Sequence, residues 1–142
     1  MKKIIVFDMD DTLYNEYDFV KSGFRAVSDF LENQFQLNNI ETFDWMWQRL
    51  LSEGRGAIFD YLLKEYNIYK KNLVKKCVWI YRSHFPNITL PHETINVLEQ
   101  LKEFPLYLVT DGHKIVQHNK VQALELEKYM KKCYITHRYG VK

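Results

Sequence analysis

The feature that most constrains this chain is its start, where a short apolar run ends at a cluster of acids. Residues 4–7 are all apolar, and Asp8, Asp10 and Asp11 follow within four positions. A β-branched run bounded in this way predicts a β-strand that is buried on both faces, as in a parallel sheet. Open α/β sheets bind ligands at the carboxyl ends of their strands, so the acids are expected at a ligand-binding edge.

These crowded carboxylates have two interpretations. Neighbouring carboxylates repel one another and lose hydration, and a cation among them would relieve both costs. Carboxylate oxygens are hard ligands of the kind that suit Mg²⁺. The alternative is a strand followed by a solvated acidic turn, and the charges by themselves do not separate the two.

Composition limits the class of protein. The chain has 142 residues, of which 46% are hydrophobic and 15% aromatic, and this is ample for a packed core. The net charge of +2, with both signs interspersed, does not indicate a nucleic-acid partner. No apolar stretch approaches the length of a membrane span. Cys77 and Cys133 lack the spacing of metal ligands, which predicts buried free thiols in a reducing cytoplasm.

The order of predicted elements is strand, long helical stretch, helix, strand, helix, strand. Residues 16–85 carry helical periodicity without a convincing strand. The first helix predicted in this stretch has one apolar face, made of Val20, Phe24, Val27, Leu31 and Phe35. The later elements are a helix opening near Pro91, a strand at 106–110, a helix at about 114–124 and a strand at 133–136. Strands joined by helical crossovers predict a parallel sheet with right-handed connections.

The second predicted strand also ends at an acid. It runs into Thr110-Asp111-Gly112, and the carboxyl ends of parallel strands meet at one edge of a sheet. The acids that follow the first strand are therefore expected near Thr110. The helical stretch leaves from the same edge, directly after the acidic turn, where it is placed to act as a lid.

Two segments carry a resemblance to a known family. Asp8-Met9-Asp10-Asp11-Thr12-Leu13 resembles the first signature of the haloacid dehalogenase (HAD) superfamily, and 108–112 resembles the second. The helical stretch between them is similar to the family's type 1 helical cap. The resemblance implies an α/β fold, a Rossmannoid parallel sheet with an inserted α-helical cap. Residues 1–15 and 87–142 would form the core, and residues 16–86 the cap.

The resemblance also implies roles for individual residues. Asp8 would be the nucleophile that takes the phosphoryl group, and Asp10 the general acid and base. The same two residues, Asp8 and Asp10, would bind Mg²⁺, with the backbone carbonyl of Asp10 as its ligand. The remaining site residues would hold phosphate oxygens and are Met9, Thr110, Asp111, Gly112 and Lys142.

The chain departs from the family pattern near its end. The third signature of the family is a lysine after a Gly-containing loop, and Gly140-Val141-Lys142 stops in that loop. Lys142 is the candidate for this lysine, and Lys120 is a less favoured substitute. The acidic pair of the fourth signature has no counterpart here. The expectation is therefore a truncated HAD chain with an incomplete core, whose metal site lacks a carboxylate.

Other interpretations of single residues stay open at this point. Asp111 could simply cap the helix that follows it. Thr12 is better explained as a turn residue than as a ligand. Arg55 lies in a Gly-flanked loop and is more simply a surface cation than a substrate contact. The histidines lack the spacing of metal ligands and are interpreted as structural or surface residues, and His113, two residues after Asp111, is the one whose position would allow it to face the site.

The function that the resemblance implies is a cytoplasmic, Mg²⁺-dependent phosphatase acting on a small phosphorylated metabolite through an aspartyl phosphate, with no nucleic-acid or membrane partner. One alternative is a phosphomutase of the same superfamily. Another is a catalytically incompetent truncated chain that only binds or forms a homodimer. A dehalogenase is less favoured because halide displacement does not need the acid and base Asp10. A phospho-receiver domain would need its acceptor aspartate after a mid-chain strand, where this chain is helical.

Overall fold

The structure is a computed structural model that describes the backbone of residues 2–139, with side chains through residue 137. The described part is an α/β fold of one three-stranded sheet and six α-helices, so the predicted fold class is confirmed. The strands are β1 (Ile5–Phe7), β2 (Leu106–Thr110) and β3 (Lys132–Ile135). The helices are α1 (Glu16–Phe35), α2 (Asn39–Glu53), α3 (Ile58–Glu65), α4 (Lys71–Ser83), α5 (His92–Gln100) and α6 (Lys114–Ala123).

The sheet has the order β1-β2-β3, and both strand pairs are parallel. Phe7 is in register with Leu108, and Thr110 is in register with Ile135. All three strands therefore end at one edge of the sheet. The loops that follow β1 and β2 leave from this edge, as the sequence predicts.

The prediction that β1 is buried on both faces is wrong. Ile4 is 58% exposed and Val6 is 55% exposed. Within the described residues β1 pairs with β2 alone, so β1 is an edge strand. On β2, Leu108 is buried while its neighbour Val109 is 39% exposed. Because side chains alternate between the two faces of a strand, Val6 and Ile4, which directly precedes β1, lie on one face, and this face is exposed.

Two compact units divide the described chain. The first contains the described residues up to Phe19 and those from Phe85 onward, and the second is Val20–His84. The first unit holds the sheet with α5 and α6, and the second is helical throughout. The interpretation of these units as catalytic core and cap stays a prediction. Among the described residues, no helix combines the length and the apolar character that a membrane crossing needs.

The apolar face predicted for α1 forms the centre of the helical unit. Val20, Phe24, Val27 and Leu31 are buried, and they pack with residues of α2, α3 and α4. Phe35 is an exception, because it is 38% exposed at the end of the helix. α1 ends at Phe35, and the Oδ1 atom of Asn38 accepts hydrogen bonds from two backbone N–H groups at the start of α2.

Both ring nitrogens of His84, at the end of the helical unit, take part in hydrogen bonds. Its Nδ1 lies 2.6 Å from the carbonyl oxygen of Tyr81, and its Nε2 lies 2.9 Å from the hydroxyl of Ser22. A carbonyl only accepts, so Nδ1 carries the proton and neutral Nε2 accepts from Ser22. Burial lowers the pKa of His84, although the backbone hydrogen bond to Tyr81 opposes this effect.

We predict that His84 makes the stability of the protein depend on pH. Because folding lowers its pKa, the unfolded chain binds the proton more readily. The free energy of unfolding therefore falls as pH drops below about 6.5, the ordinary histidine value, and is unaffected by His84 above it. Denaturant unfolding at pH 7.5 and 5.5 measures this effect. The free energy of unfolding should fall less between the two pH values in the variant His84→Gln than in wild type. The control His92→Gln, at an exposed position, should keep the wild-type loss, and equal losses in all three proteins would contradict the prediction.

Candidate active site

The first acidic segment forms a tight turn directly after β1. Asp8 follows the strand and is exposed, while Met9 is fully buried. The carbonyl oxygen of Met9 accepts hydrogen bonds from the backbone N–H groups of Thr12, at 3.2 Å, and Leu13, at 2.9 Å. Asp11 has a φ of 58°, in the left-handed region. The turn anchors the segment through Met9 and leaves Asp8 at the carboxyl edge of the sheet.

Asp10 is held by three side chains. The hydroxyl of Tyr14 donates to its Oδ1 at 2.7 Å, and the Nζ of Lys120 donates to the same oxygen at 2.9 Å. The Nε2 of Gln117 donates to its Oδ2 at 3.0 Å. Both carboxylate oxygens are therefore engaged, and two of the three donors come from α6.

Lys120 is a buried cation. Its side chain is 4% exposed, against 22% for that of Asp10. Its Nζ also lies 4.4 Å from the ring centroid of Phe19, within the range of a cation–π contact. A lysine is almost never buried unless it is paired, so Lys120 and Asp10 depend on each other.

The same contacts set the protonation state of Asp10. Burial by itself would raise the pKa of its carboxyl group. The charge of Lys120 and the hydrogen bonds from Lys120, Gln117 and Tyr14 outweigh burial and lower the pKa. The pKa of Tyr14 is raised by burial and by its hydrogen bond to Asp10. Near neutral pH, Asp10 is therefore a carboxylate and Tyr14 a neutral donor.

Gln117 joins the two acidic segments. Besides its bond to Asp10, its Nε2 donates to the Oγ1 of Thr110 at 2.8 Å. Thr110 ends β2 and is 1% exposed. Gly112 has a φ of 145°, and a Cβ atom there would lie 2.9 Å from Cγ and Cδ of Gln117. The structure thus brings Asp10 and Thr110 together through Gln117, with Gly112 packed against it.

Asp111 does not cap the helix that follows it, so that alternative is wrong. Residue 113 is the N-cap of α6, and no side chain caps the helix there. The Oδ1 of Asp111 instead accepts a hydrogen bond of 2.6 Å from the hydroxyl of Thr136, which follows β3. The ring of His113 stacks on that of His137 with centroids 5.6 Å apart. Lys142 and Gly140 lie outside the described residues.

The sequence prediction missed Gln117 and Tyr14, and it named Lys120 only as a substitute for the signature lysine. A signal was present, because Gln117 and Lys120 are three positions apart and share a face of α6 with buried Val121. Two polar residues on the buried face of a helix indicate a polar partner inside the protein. The sequence does not show that this partner is Asp10.

The described residues do not assemble a complete set of side-chain ligands for a metal ion such as Mg²⁺. No group of three or more potential metal-ligating side chains occurs among them. Asp8 offers an exposed carboxylate, a hard oxygen ligand of the type that Mg²⁺ takes. The carboxylate of Asp10 is engaged by Lys120, Gln117 and Tyr14, which leaves its backbone carbonyl as the donor that the resemblance implies. Mg²⁺ usually keeps several waters, so one carboxylate is compatible with binding.

We predict that Lys120→Met destabilises the protein by about 2–4 kcal/mol, since it leaves a partly buried carboxylate without its cation. Thermal or denaturant unfolding measures this loss. Lys114→Met, at an exposed position of the same helix, is the control and should change stability by less than about 0.5 kcal/mol.

A second variant tests whether the loss comes from the ion pair. The double variant Asp10→Asn with Lys120→Met has no unpaired carboxylate at position 10. Its loss of stability should therefore be smaller than the sum of the losses in the two single variants. Strict additivity of the two substitutions would contradict the coupling between Lys120 and Asp10.

Together, the parallel sheet and the residues at its carboxyl edge define an α/β protein with a carboxylate-based site. A sequence model of the family described as haloacid dehalogenase-like hydrolase matches residues 5–142. The chain belongs to this family, and the resemblance seen in the two signatures is confirmed.

Two curated relatives carry the same name. The chain is 28% identical over 148 residues to a glyceraldehyde 3-phosphate phosphatase of Methanocaldococcus jannaschii, covering 99% of this chain and 65% of the relative. It is 28% identical over 152 residues to a glyceraldehyde 3-phosphate phosphatase of Pyrococcus abyssi, covering 100% of this chain and 63% of the relative. The chain thus spans slightly less than two thirds of the length of each.

Solved structures share the fold. A Thermotoga maritima protein, described as a candidate β-phosphoglucomutase, superposes with a TM-score of 0.61 at 17% identity, covering 97% of this chain and 62% of that one. The candidate HAD hydrolase YfnB of Bacillus subtilis, described as bound to magnesium, gives a TM-score of 0.59 at 19% identity, with coverages of 99% and 66%. At these identities the likeness concerns the fold alone.

Proposed function

We propose that this protein is a Mg²⁺-dependent phosphatase that acts on a small phosphorylated metabolite through an aspartyl phosphate. The observation that carries the proposal is the arrangement at one sheet edge. Asp8 lies exposed after β1, and two residues later Asp10 is connected through Gln117 to Thr110 at the end of β2. A nucleophile, an acid–base group and a phosphate-binding hydroxyl are the components that this reaction needs.

In the first step, an oxygen of the Asp8 carboxylate attacks phosphorus, and the bond between phosphorus and the leaving oxygen breaks. The products are an acyl phosphate on Asp8 and an alcohol, whose oxygen takes its proton from Asp10 in the protonated form of that residue. The hydroxyl of Thr110 and nearby backbone N–H groups of Met9, Asp111 and Gly112 would stabilise the phosphoryl oxygens.

In the second step, water attacks the phosphorus of the aspartyl phosphate and releases inorganic phosphate. Asp10 accepts the proton of this water. The donors that lower its pKa keep Asp10 ionised and ready for this role as a base. The same donors make it a weak acid, so protonation of a poor leaving group in the first step requires the contact with Lys120 to loosen.

Mg²⁺ would be held by the Asp8 carboxylate and the Asp10 backbone carbonyl, and when bound it supplies positive charge that reduces the repulsion between Asp8 and the phosphate. The name of the two curated relatives makes glyceraldehyde 3-phosphate the first substrate to test. This three-carbon phosphate fits the proposed class of small phosphorylated metabolites.

The proposal predicts Mg²⁺-dependent release of phosphate from p-nitrophenyl phosphate and from glyceraldehyde 3-phosphate. Asp8→Asn should abolish turnover because an amide oxygen is a poor nucleophile. Asp10→Asn should lower kcat by about 10²–10⁴, the usual contribution of a general acid–base group. Colorimetric phosphate assays, with and without EDTA, measure all of these effects.

The matched control is Asp18→Asn, an exposed carboxylate in the first turn of α1, which should keep wild-type activity. Turnover that survives Asp8→Asn would show that the nucleophile is assigned to the wrong residue. A folded wild-type chain without turnover on either substrate would favour the alternative that these residues alone only bind phosphate.

A phosphomutase remains the second candidate, because it uses the same nucleophile and the same acid–base residue. The two differ in the acceptor of the phosphoryl group, which is water in a phosphatase and a sugar phosphate in a mutase. Phosphate release from glyceraldehyde 3-phosphate supports the phosphatase. Interconversion of sugar phosphates without net phosphate release would support the mutase.

A further inference from the structure

We propose that Gln117 is the positioning residue of this site, orienting the hydroxyl of Thr110 and the carboxylate of Asp10 toward a bound phosphate. The inference rests on the proposed function, since it assigns a role within the same site. It concerns a residue that neither signature contains. Gln117 lies in α6, seven positions after Thr110, and 2% of its surface is exposed.

The direction of the Gln117 amide follows from its partners. A carboxylate can only accept hydrogen bonds, so the side chain must turn its nitrogen, and not its oxygen, toward Asp10. The two hydrogens of that nitrogen match the two acceptors found, Oδ2 of Asp10 at 3.0 Å and Oγ1 of Thr110 at 2.8 Å.

This direction fixes the role of the Thr110 hydroxyl. A hydroxyl has one hydrogen to donate and two lone pairs to accept with. Because Oγ1 accepts from Gln117, its hydrogen remains for an acceptor other than Gln117. Thr110 is almost fully buried, so bulk water competes little for this hydrogen. An oriented donor of this kind is what stabilises a phosphoryl oxygen without further rearrangement.

Three neighbours hold Gln117 and Asp10 in place. The side chain of Gln117 packs against Gly112, where a Cβ atom would be too close, so glycine at this position makes room for Gln117. Lys120 and Tyr14 hold the other oxygen of Asp10, and the Nζ of Lys120 neutralises its charge. Gln117 therefore acts on the reaction through two other residues, Asp10 and Thr110.

The test is the affinity for inorganic phosphate in the presence of Mg²⁺, measured by calorimetry on the whole chain, together with kcat and KM. Gln117→Met keeps the length of the side chain and removes both donors. We expect it to raise the dissociation constant of phosphate about tenfold, the effect of roughly one lost hydrogen bond. If this variant fails to fold, Gln117→Leu provides the same comparison, because it also removes both donors and adds no charge beside Asp10.

A double-mutant cycle separates positioning from a structural role. Thr110→Val removes the hydroxyl, so adding Gln117→Met to it should weaken phosphate binding little further. If Gln117 had a merely structural role, Gln117→Met would lower the affinity for phosphate equally in wild type and in Thr110→Val. The control Gln122→Met, at an exposed position of α6, should bind phosphate as wild type does.

The outcomes distinguish this inference from the proposed function. Phosphate binding that depends on Gln117 and Thr110 together, without turnover by the wild type, would refute the phosphatase and support the positioning role. If folded Gln117→Met keeps wild-type turnover or wild-type phosphate binding, the positioning role is wrong. The proposed phosphatase function would not be affected by this result. A wild-type chain that neither binds phosphate nor turns over substrate would overturn both.

Discussion

The ion pair between Lys120 and Asp10 is the interaction on which the rest of the site depends. A lysine with a 4% exposed side chain is stable only beside a compensating charge, and Asp10 is that charge. The pair connects α6 with the acidic turn after β1, two segments that are 110 positions apart in the sequence. It thereby fixes the direction of the Asp10 carboxylate before any ligand is bound.

This preorganisation has a chemical cost that follows from the same contacts. Donors that hold a carboxylate also stabilise its charged form, so the arrangement favours Asp10 as a proton acceptor over Asp10 as a proton donor. A catalytic cycle of the proposed kind needs both. Any loosening of the contact between Lys120 and Asp10 would shift the balance toward the acid.

Much of the fold could be predicted from the sequence because it depends on local patterns. Apolar runs identified the strands, and the spacing of Val20, Phe24, Val27 and Leu31 identified the buried face of α1. The exposure of Ile4 and Val6 could not be predicted in this way. An apolar run shows that a strand can be buried, whereas its burial depends on which helices and strands lie beside it.

The same distinction, between local patterns and contacts of distant segments, applies to the candidate site. The amino-acid sequence alone placed Asp8 and Asp10 after one parallel strand and Thr110 at the end of another, since strand direction and chain order are enough to bring strand ends to one edge. Only the tertiary structure decided that Gln117 and Lys120 bind Asp10, because this depends on how α6 packs against the sheet and on which side chains meet there. A helical sequence shows which residues share a face, but the partner of that face is set by contacts between distant parts of the chain.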